Sequence, residues 1–532
     1  MTPNAPPARR AAEESPEARA ALVSVGCSIL LPDGHPPTEV RARPEFFHDL
    51  QLDRIVDAVI AGREEYHLAP LFHTPLDDRD AISYRQEIMQ EMETEVLRQV
   101  VGEFADRMRT MRQRKPDAAK RLYPLEAQRW FLASAEAYVD AVLSLSDGLA
   151  FGTRTSRGLR RFCSHITAYV ASNAFRALVA DIRSLTTALG ALRFSLLIRD
   201  LTITVGADVS RGDYSLTIAR AFEKFRHGHV KDYHYGFKGL AGMNQVESEI
   251  VSRVALLYPE PFAALARFSD VHRQFVDPLI ARFDREIQFY LAMLNHVERL
   301  RRAGLAFCYP SLAERDTQIV ARDTFDLALA ETMGARAADI VRNAFELRGP
   351  ERVFVVTGPN QGGKTTFARM VGQLHYLAAL GCPVPGREAR LLLCDHVFAV
   401  FERQEDPTNL RGKLEDDLLR LRDVLRRATS RSLIIINEIF TSTTLEDALF
   451  LGRAALRSIL ELDGLCVFVT FLDELAAPNA KIVSMVATVE ARDPTIRTFK
   501  IERRSANGLA YALAIAEKHH VTDQWLARRL GR

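Results

Sequence analysis

The chain has 532 residues, 47% hydrophobic and 26% charged, and 70 Lys+Arg against 68 Asp+Glu leave a net charge of +2. This composition excludes collagen-like, disulfide-scaffold and wholly disordered chains. It also excludes a polycation, so any nucleic-acid contact has to come from local patches. At about 150 residues per domain the length provides for roughly three or four domains. The six cysteines (Cys27, Cys163, Cys308, Cys382, Cys394 and Cys466) form no CxxC pair. Cysteines so far apart read as reduced thiols of a cytoplasmic protein. No run approaches the ~20 apolar residues of a membrane span, and the N-terminus has no apolar signal core. A cytoplasmic location without a membrane partner is the expectation.

Residues 1–45 are rich in Pro, Ala and Arg and read as a flexible tail. From Phe46 to about residue 340 the pattern is helical. Pro75 and Asp77-Asp78 mark a turn into a helix carrying Ile82, Arg85 and Ile88. No proline occurs between Pro124 and Pro259, and proline costs about 3 kcal/mol inside a helix. Leu132, Ala135, Tyr138, Val139, Val142 and Leu145 follow i, i+3, i+4 spacing. Phe283, Ile287, Tyr290, Leu294 and Val297 repeat it in a helix expected to run from Pro278 until Gly304 stops it. The alternating segments Leu201–Val205 and Tyr214–Ile218 predict a small β-ribbon inserted near 198–220. From about 341 to 515 short apolar runs alternate with helical segments: Val353–Val356, Leu391–Leu393, Leu433–Ile436 and Cys466–Phe471. That alternation predicts an α/β domain with a largely parallel sheet. A C-terminal helical segment is expected over 516–532.

Gly358-Pro359-Asn360-Gln361-Gly362-Gly363-Lys364-Thr365 fits GxxxxGK[ST], with a strand before it and a helix after it. Glycines let backbone N–H groups turn toward phosphates, and the helix start adds its dipole and free N–H groups. In this pattern Lys364 reaches the β- and γ-phosphates and the Thr365 hydroxyl ligates Mg²⁺, so a nucleoside triphosphate with Mg²⁺ is the expected ligand. The helix carries Phe367, Met370, Val371, Leu374 and Ala378 on an apolar face, and Gly381 closes it. A second acidic element is expected at the end of a buried strand. Ser432–Ile436 ends in Asn437-Glu438, so the metal side has an amide where such sites usually carry Asp, and Glu438 is the candidate to orient or deprotonate water. The alternative is a strand end that these two residues simply cap.

These residues resemble a family. Thr357-Gly-Pro-Asn-Gln-Gly-Gly-Lys-Thr-Thr366 is similar to the TGPNxxGKST loop of the MutS mismatch-repair ATPases, Leu377–Pro385 to their LAQIGCFVPA segment, and Asn437–Thr444 to their DEIGRGTST stretch. Pro75, Leu76, Asp77, Ile82 and Arg85-Gln86 resemble the opening of the family's helical core. The resemblance implies a fold of α + α/β class: a mainly helical core and lever domain over 46–340, then a P-loop (ABC-type) α/β ATPase domain over 341–515. It implies a short member without the mismatch-reading and connector domains, and a homodimer sandwiching ATP. Two further positions depart from the family: Gly412 stands where a trans-acting Ser is expected, and Phe471 replaces the His of a Thr-His pair. With Asn437, these predict slow hydrolysis. The segment from Thr498 to about His519 resembles the part that supports the dimer interface.

The densest basic run holds Arg107, Arg109, Arg112, Arg114, Lys115, Lys120 and Arg121, and a second holds Arg154, Arg157, Arg160 and Arg161. Duplex or branched DNA can be held through its backbone by such groups, and a solvated helix face is the alternative. His227, His229 and His234 are accompanied by no cysteine or well-placed carboxylate pair, so they read as a polar loop or nucleic-acid-contact surface rather than a metal site. The sequence therefore predicts an ATP-dependent DNA-binding protein of MutS type, a P-loop ATPase. A nucleotide-gated scaffold that acts on a protein partner with little hydrolysis is the second reading.

Overall fold

The computed structural model describes residues 28–35, 39–120, 122–207, 242–313, 318–403, 412–490 and 495–506, with isolated positions elsewhere and without the side chains of 115–120. The chain divides into two units. One comprises Met1–Glu93, Thr155–Gly158 and Arg285–Arg532, the other Thr94–Arg154 and Leu159–Asp284.

The second unit is helical. Helices Glu95–Lys120 and Pro124–Ala150 pack together along their length. The face predicted from Leu132 to Leu145 is buried, with Leu132, Ala135, Tyr138, Val142 and Leu145 in the core. Phe162 stacks on Phe283 with ring centroids 3.6 Å apart. Helix Asn173–Gly190 starts at Ser172, whose hydroxyl accepts the Phe175 N–H at 3.2 Å. Helix Gln245–Leu257 starts with a capping box between Asn244 and Glu247. Such caps satisfy the orphan N–H groups of a first turn. The β-ribbon is present, but its strands are Phe194–Arg199 and Thr202–Ala207, antiparallel. The pairing partner of the predicted Leu201–Val205 strand is the segment before it. Tyr214–Ile218 lies outside the described residues.

In the first unit, helix Arg79–Glu91 begins at Asp78, whose carboxylate accepts the Ala81 N–H at 2.7 Å. Helix Pro278–Arg302, shared at residue 284/285 between the units, ends just before Gly304 at φ +85°, as its sequence predicts. The tail expected over 1–45 is corrected at its end. Ile29 and Leu30 are buried, the Ile29 N–H donates to Glu286 at 2.8 Å, and the Leu30 carbonyl accepts from Arg85 at 2.9 Å. A four-residue apolar run, Ser28-Ile-Leu-Leu31, carries that contact inside a Pro- and Ala-rich context that hides it. Residues 1–27 lie outside the described set.

The α/β part contains strand β1 (Val353–Thr357), helix α1 (Lys364–Ala379), β2 (Val397–Phe401), α2 (Lys413–Arg427), β3 (Leu433–Asn437), α3 (Leu445–Leu462), β4 (Leu465–Val469), β5 (Ile482–Val489) and β6 (Arg497–Arg503). The sheet order is β2-β3-β4-β1-β5-β6. The first five strands run parallel and β6 is antiparallel to β5. Strands β1, β3 and β4 are buried along their full length, which is why each reads as an unbroken apolar run. Val353, Val355, Ile434, Ile436, Cys466 and Phe468 form one core with residues of α2 and α3.

Two details differ from the sequence reading. The run Leu391–Leu393 does not join this sheet. Its strand Glu388–Leu392 sits in a separate four-stranded sheet with Ser311–Ala313, Ile319–Thr324 and Asn343–Leu347, and its burial alternates. The parallel sheet instead takes Val397–Phe401. Helix α1 is buried nearly all round rather than on one face, including Gln373, His375 and Tyr376. A Cβ on Gly372 would lie 2.6 Å from Ile435 and 2.7 Å from Leu50, so sheet and N-terminal segment close on this helix from both sides. The predicted segments near Leu509–His519 and 516–532 fall almost wholly outside the described residues.

Candidate nucleotide site

The loop from β1 to α1 has a backbone that its sequence makes possible. Gly358 stands at φ +113°, and a Cβ there would meet the Ala487 carbonyl oxygen at 2.9 Å. Gly363, the N-cap of α1, stands at φ +92°. These are positions where a side chain is excluded by space or by backbone conformation. Helix α1 then begins at Lys364, so its unpaired N–H groups and the positive end of its dipole lie at the loop.

Lys364 is 3% exposed. Its Nζ donates to the Gly358 carbonyl at 3.0 Å, to the Pro359 carbonyl at 3.5 Å and to Asn360 Oδ1 at 3.4 Å, and lies 3.3 Å from Glu438 Oε1. An ammonium this buried has to be surrounded by acceptors. A cavity of about 640 Å³ opens here. Asn360, Gln361, Gly362, Gly363, Lys364, Thr365, Thr366 and Glu438 line its polar side, and Leu329, Met333, Ile340, Val341 and Phe499 its apolar side. Its volume suits a ligand of nucleotide size.

The structure thus brings the predicted loop residues and Glu438 to one place. Gly358 and Pro359 contribute carbonyls to Lys364 from behind the cavity. Asn437 is also behind: it is buried, ends β3, and its Oδ1 has no hydrogen-bond partner among the described residues. Glu438 follows at φ +53° and Phe440 at φ +63°. Left-handed non-glycine residues cost of order 1–3 kcal/mol each and persist where their surroundings fix them. The Glu438 N–H donates to the Val469 carbonyl at 3.0 Å, which fixes the first of them to β4.

Hard divalent cations take oxygen ligands. The Thr365 hydroxyl and the Glu438 carboxylate supply such donors on the cavity wall and the buried amide oxygen of Asn437 lies behind it, so these residues fit a magnesium ion whose charge is neutralised mainly by a bound polyphosphate. Among the described residues no cluster of three or more His, Cys, Asp or Glu forms a site of its own. His227, His229 and His234 are outside the described residues.

Sequence reasoning missed the apolar wall. Ile340 and Val341 lie upstream of the loop and Phe499 far downstream, and no motif includes them. Asn343 ties the two parts together: its Nδ2 donates to the Phe499 carbonyl at 3.2 Å and its Oδ1 accepts the Ile501 N–H at 2.8 Å. Arg497 donates to the Asn360 carbonyl at 3.2 Å, so β6 also braces the loop. Gly412 is the N-cap of α2, and among the described residues nothing lies within 4 Å of where a Cβ would be. Phe471 is 47% exposed.

The basic residues are more dispersed than their sequence spacing suggests. Arg107, Arg109, Arg112, Arg114, Lys115 and Arg154 belong to the helical unit and Arg157 to the other. Arg157 is held by Glu87 at 3.0 Å and Asp80 at 2.7 Å. Arg112 pairs with buried Asp284. Arg107 and Arg109 form local pairs with Glu103 and Asp106 at 3.8 and 3.7 Å. Arg114 donates to the Ala133 carbonyl at 3.1 Å and Arg154 to the Phe151 carbonyl at 2.5 Å. Exposed helix-surface pairs such as Arg107 with Glu103 and Arg109 with Asp106 are worth only about 0.3–0.5 kcal/mol, whereas Arg112 meets a buried carboxylate and Arg157 bonds to two carboxylates.

Strand β1, the glycine loop, helix α1 and a carboxylate at the end of β3, two strands away from β1 in the sheet, have the layout of a P-loop type of α/β domain. Comparison with known proteins places it more closely. The family profile described as MutS domain V matches residues 354–529. The chain is 30% identical over 33% of its length to DNA mismatch repair protein MSH3 of Yarrowia lipolytica, covering 18% of that protein. It is 33% identical over 36% of its length to endonuclease MutS2 of Thermus thermophilus, covering 26% of it. It is 32% identical over 29% of its length to DNA mismatch repair protein MutS of Brevibacillus brevis, covering 18%. Residues 354–529, about a third of the chain, are thus similar to domain V of the MutS family. The match spans about a fifth to a quarter of the length of these relatives.

Proposed function

We propose that this protein is an ATPase of MutS type that couples nucleotide binding to DNA. ATP is held by Gly358, Pro359, Asn360, Gln361, Gly362, Gly363, Lys364, Thr365 and Thr366. Its base rests against Ile340, Val341 and Phe499, and Mg²⁺ against Thr365 and Asn437. Bound Mg²⁺ neutralises charge on the phosphates. Lys364 binds the phosphate chain at the start of α1, and Glu438 orients the attacking water. The site is completed by a second copy in a homodimer. The helical region holds DNA through backbone contacts that include Arg107 and Arg109. The observation that carries this reading is the 3.3 Å pair of Lys364 and Glu438 at the wall of a nucleotide-sized cavity. Names of relatives that include mismatch repair support the DNA part.

A second reading has its own support. Asn437 brings no negative charge to the metal, and Phe471 places an exposed ring where the family carries a polar His. These favour a switch that binds ATP, hydrolyses it slowly and acts on a protein partner. Phosphate release with and without duplex or branched DNA, together with DNA binding across a salt series, separates the two. DNA-stimulated turnover and affinity that falls with salt support the first reading. Absence of DNA binding at low salt supports the second.

A further inference from the structure

We propose that Asp417 is a positioning residue for Glu438, acting through the backbone N–H of Phe440; the role rests on the hydrolytic reading above. Glu438 is the first residue after β3, and the chain there reverses twice within three residues, at Glu438 (φ +53°) and Phe440 (φ +63°). Neither is a glycine, so the turn needs external fixing. On one side the Glu438 N–H bonds to β4 through the Val469 carbonyl at 3.0 Å. On the other side the Phe440 N–H donates to Asp417 Oδ2 at 3.2 Å.

Asp417 is 2% exposed and sits on α2. A carboxylate in such a place is costly unless a donor needs it. The Phe440 ring is itself buried in the core shared with Leu421 of α2, so its N–H has no access to water. Burial pushes the Asp417 carboxyl above the usual carboxylate range, and the Phe440 N–H works against that rise. A second tie lies beside it. The Thr441 hydroxyl donates to Glu402 Oε1 at 2.7 Å, and Glu402 pairs with Lys413, the first residue of α2. Helix α2 therefore holds the turn directly at Phe440 and, through the Lys413–Glu402 pair, at Thr441. Without the Asp417 acceptor, the buried Phe440 N–H is orphaned and the turn relaxes toward negative φ. That rotation carries the Glu438 carboxylate away from Lys364 Nζ.

The test is steady-state ATP turnover by the full chain. Asp417→Ala is expected to lower kcat by at least about tenfold with KM for ATP within about threefold. Asp417→Asn, whose amide oxygen still accepts, is expected to keep kcat within about threefold. In a Glu438→Gln background, Asp417→Ala is expected to cause no further loss, because its effect runs through Glu438. Unchanged turnover in Asp417→Ala, a KM effect alone, or the same fold-loss in the Glu438→Gln background overturns the inference while leaving the ATPase reading in place. Wild-type turnover no higher than that of Lys364→Ala overturns both. If Asp417→Ala does not fold, amide exchange decides. The Phe440 N–H of the wild type is expected to be protected like the amides of β3, and fast exchange there overturns the inference.

Discussion

Lys364 Nζ and Glu438 Oε1 lie 3.3 Å apart, the lysine buried and the glutamate 28% exposed at its side chain. The two groups come from opposite ends of the site, one from the start of α1 and one from the turn after β3. Their contact means that the phosphate-binding cation and the proposed water-orienting anion share one pocket. Glu438→Gln keeps the shape and removes the charge. We expect turnover to fall by roughly 10²-fold or more, the range of a lost general base. ATP affinity is expected to stay within about threefold, read by equilibrium titration beside phosphate release.

Asn437 offers a direct test of metal binding. Hydrogen bonds to charged groups contribute about 1.5–3 kcal/mol against about 1 for neutral ones. Asn437→Asp should therefore lower the Mg²⁺ concentration giving half-maximal turnover by about fivefold or more. Without Mg-ATP the same variant should melt at a lower temperature, since its carboxylate is buried without a counter-charge. A Mg²⁺ requirement identical to wild type places Asn437 outside the metal's reach.

Two glycines should behave in opposite ways. Gly358→Ala puts a Cβ 2.9 Å from a backbone carbonyl at φ +113° and should lower the melting midpoint by several degrees as well as weaken ATP binding. Gly412→Ser meets nothing within 4 Å among the described residues. It also places a good N-cap at the start of α2, so stability should be unchanged or higher by a few tenths of a kcal/mol. Thermal melts of the two variants beside wild type check this.

The central strands were legible because β1, β3 and β4 are buried on both faces and need only apolar residues. The loop at Gly358–Thr365 was legible because phosphate chemistry demands glycine at fixed steps. Leu391–Leu393 points to the wrong sheet because three consecutive apolar letters do not tell a doubly buried strand from one buried on a single face. Ile29 and Leu30 were hidden by their neighbours' composition. Ile340, Val341 and Phe499 were not legible at all: they meet only in space, through Asn343, and apolar residues at a ligand wall look like any core residue. The basic patches misled in a similar way, since spacing along the chain says nothing of Asp284 opposite Arg112 or of Glu87 and Asp80 beside Arg157.

Acid should weaken the first unit in a definite window. Burial lowers His375 to about 4, its Nδ1 bonded to the Val371 carbonyl at 2.8 Å and its Nε2 without a partner. Burial likewise lowers His296 to about 4, against the pull of Glu331. Both are neutral when folded and take a proton on unfolding. Their stability contribution is complete above the unfolded pKa of about 6.5 and is lost as pH falls toward 4. The loss is roughly 3 kcal/mol for each. Denaturation midpoints measured from pH 7 to pH 4 should fall accordingly. His375→Leu should flatten the slope by about half.

The most direct test of the account is an equilibrium titration of the protein with a fluorescent ATP analogue and Mg²⁺, wild type beside Lys364→Ala. The account predicts saturable binding by wild type and affinity at least about tenfold weaker in the variant, the loss of one buried charge-assisted contact. Equal affinity in the two proteins, or no binding by wild type, contradicts it.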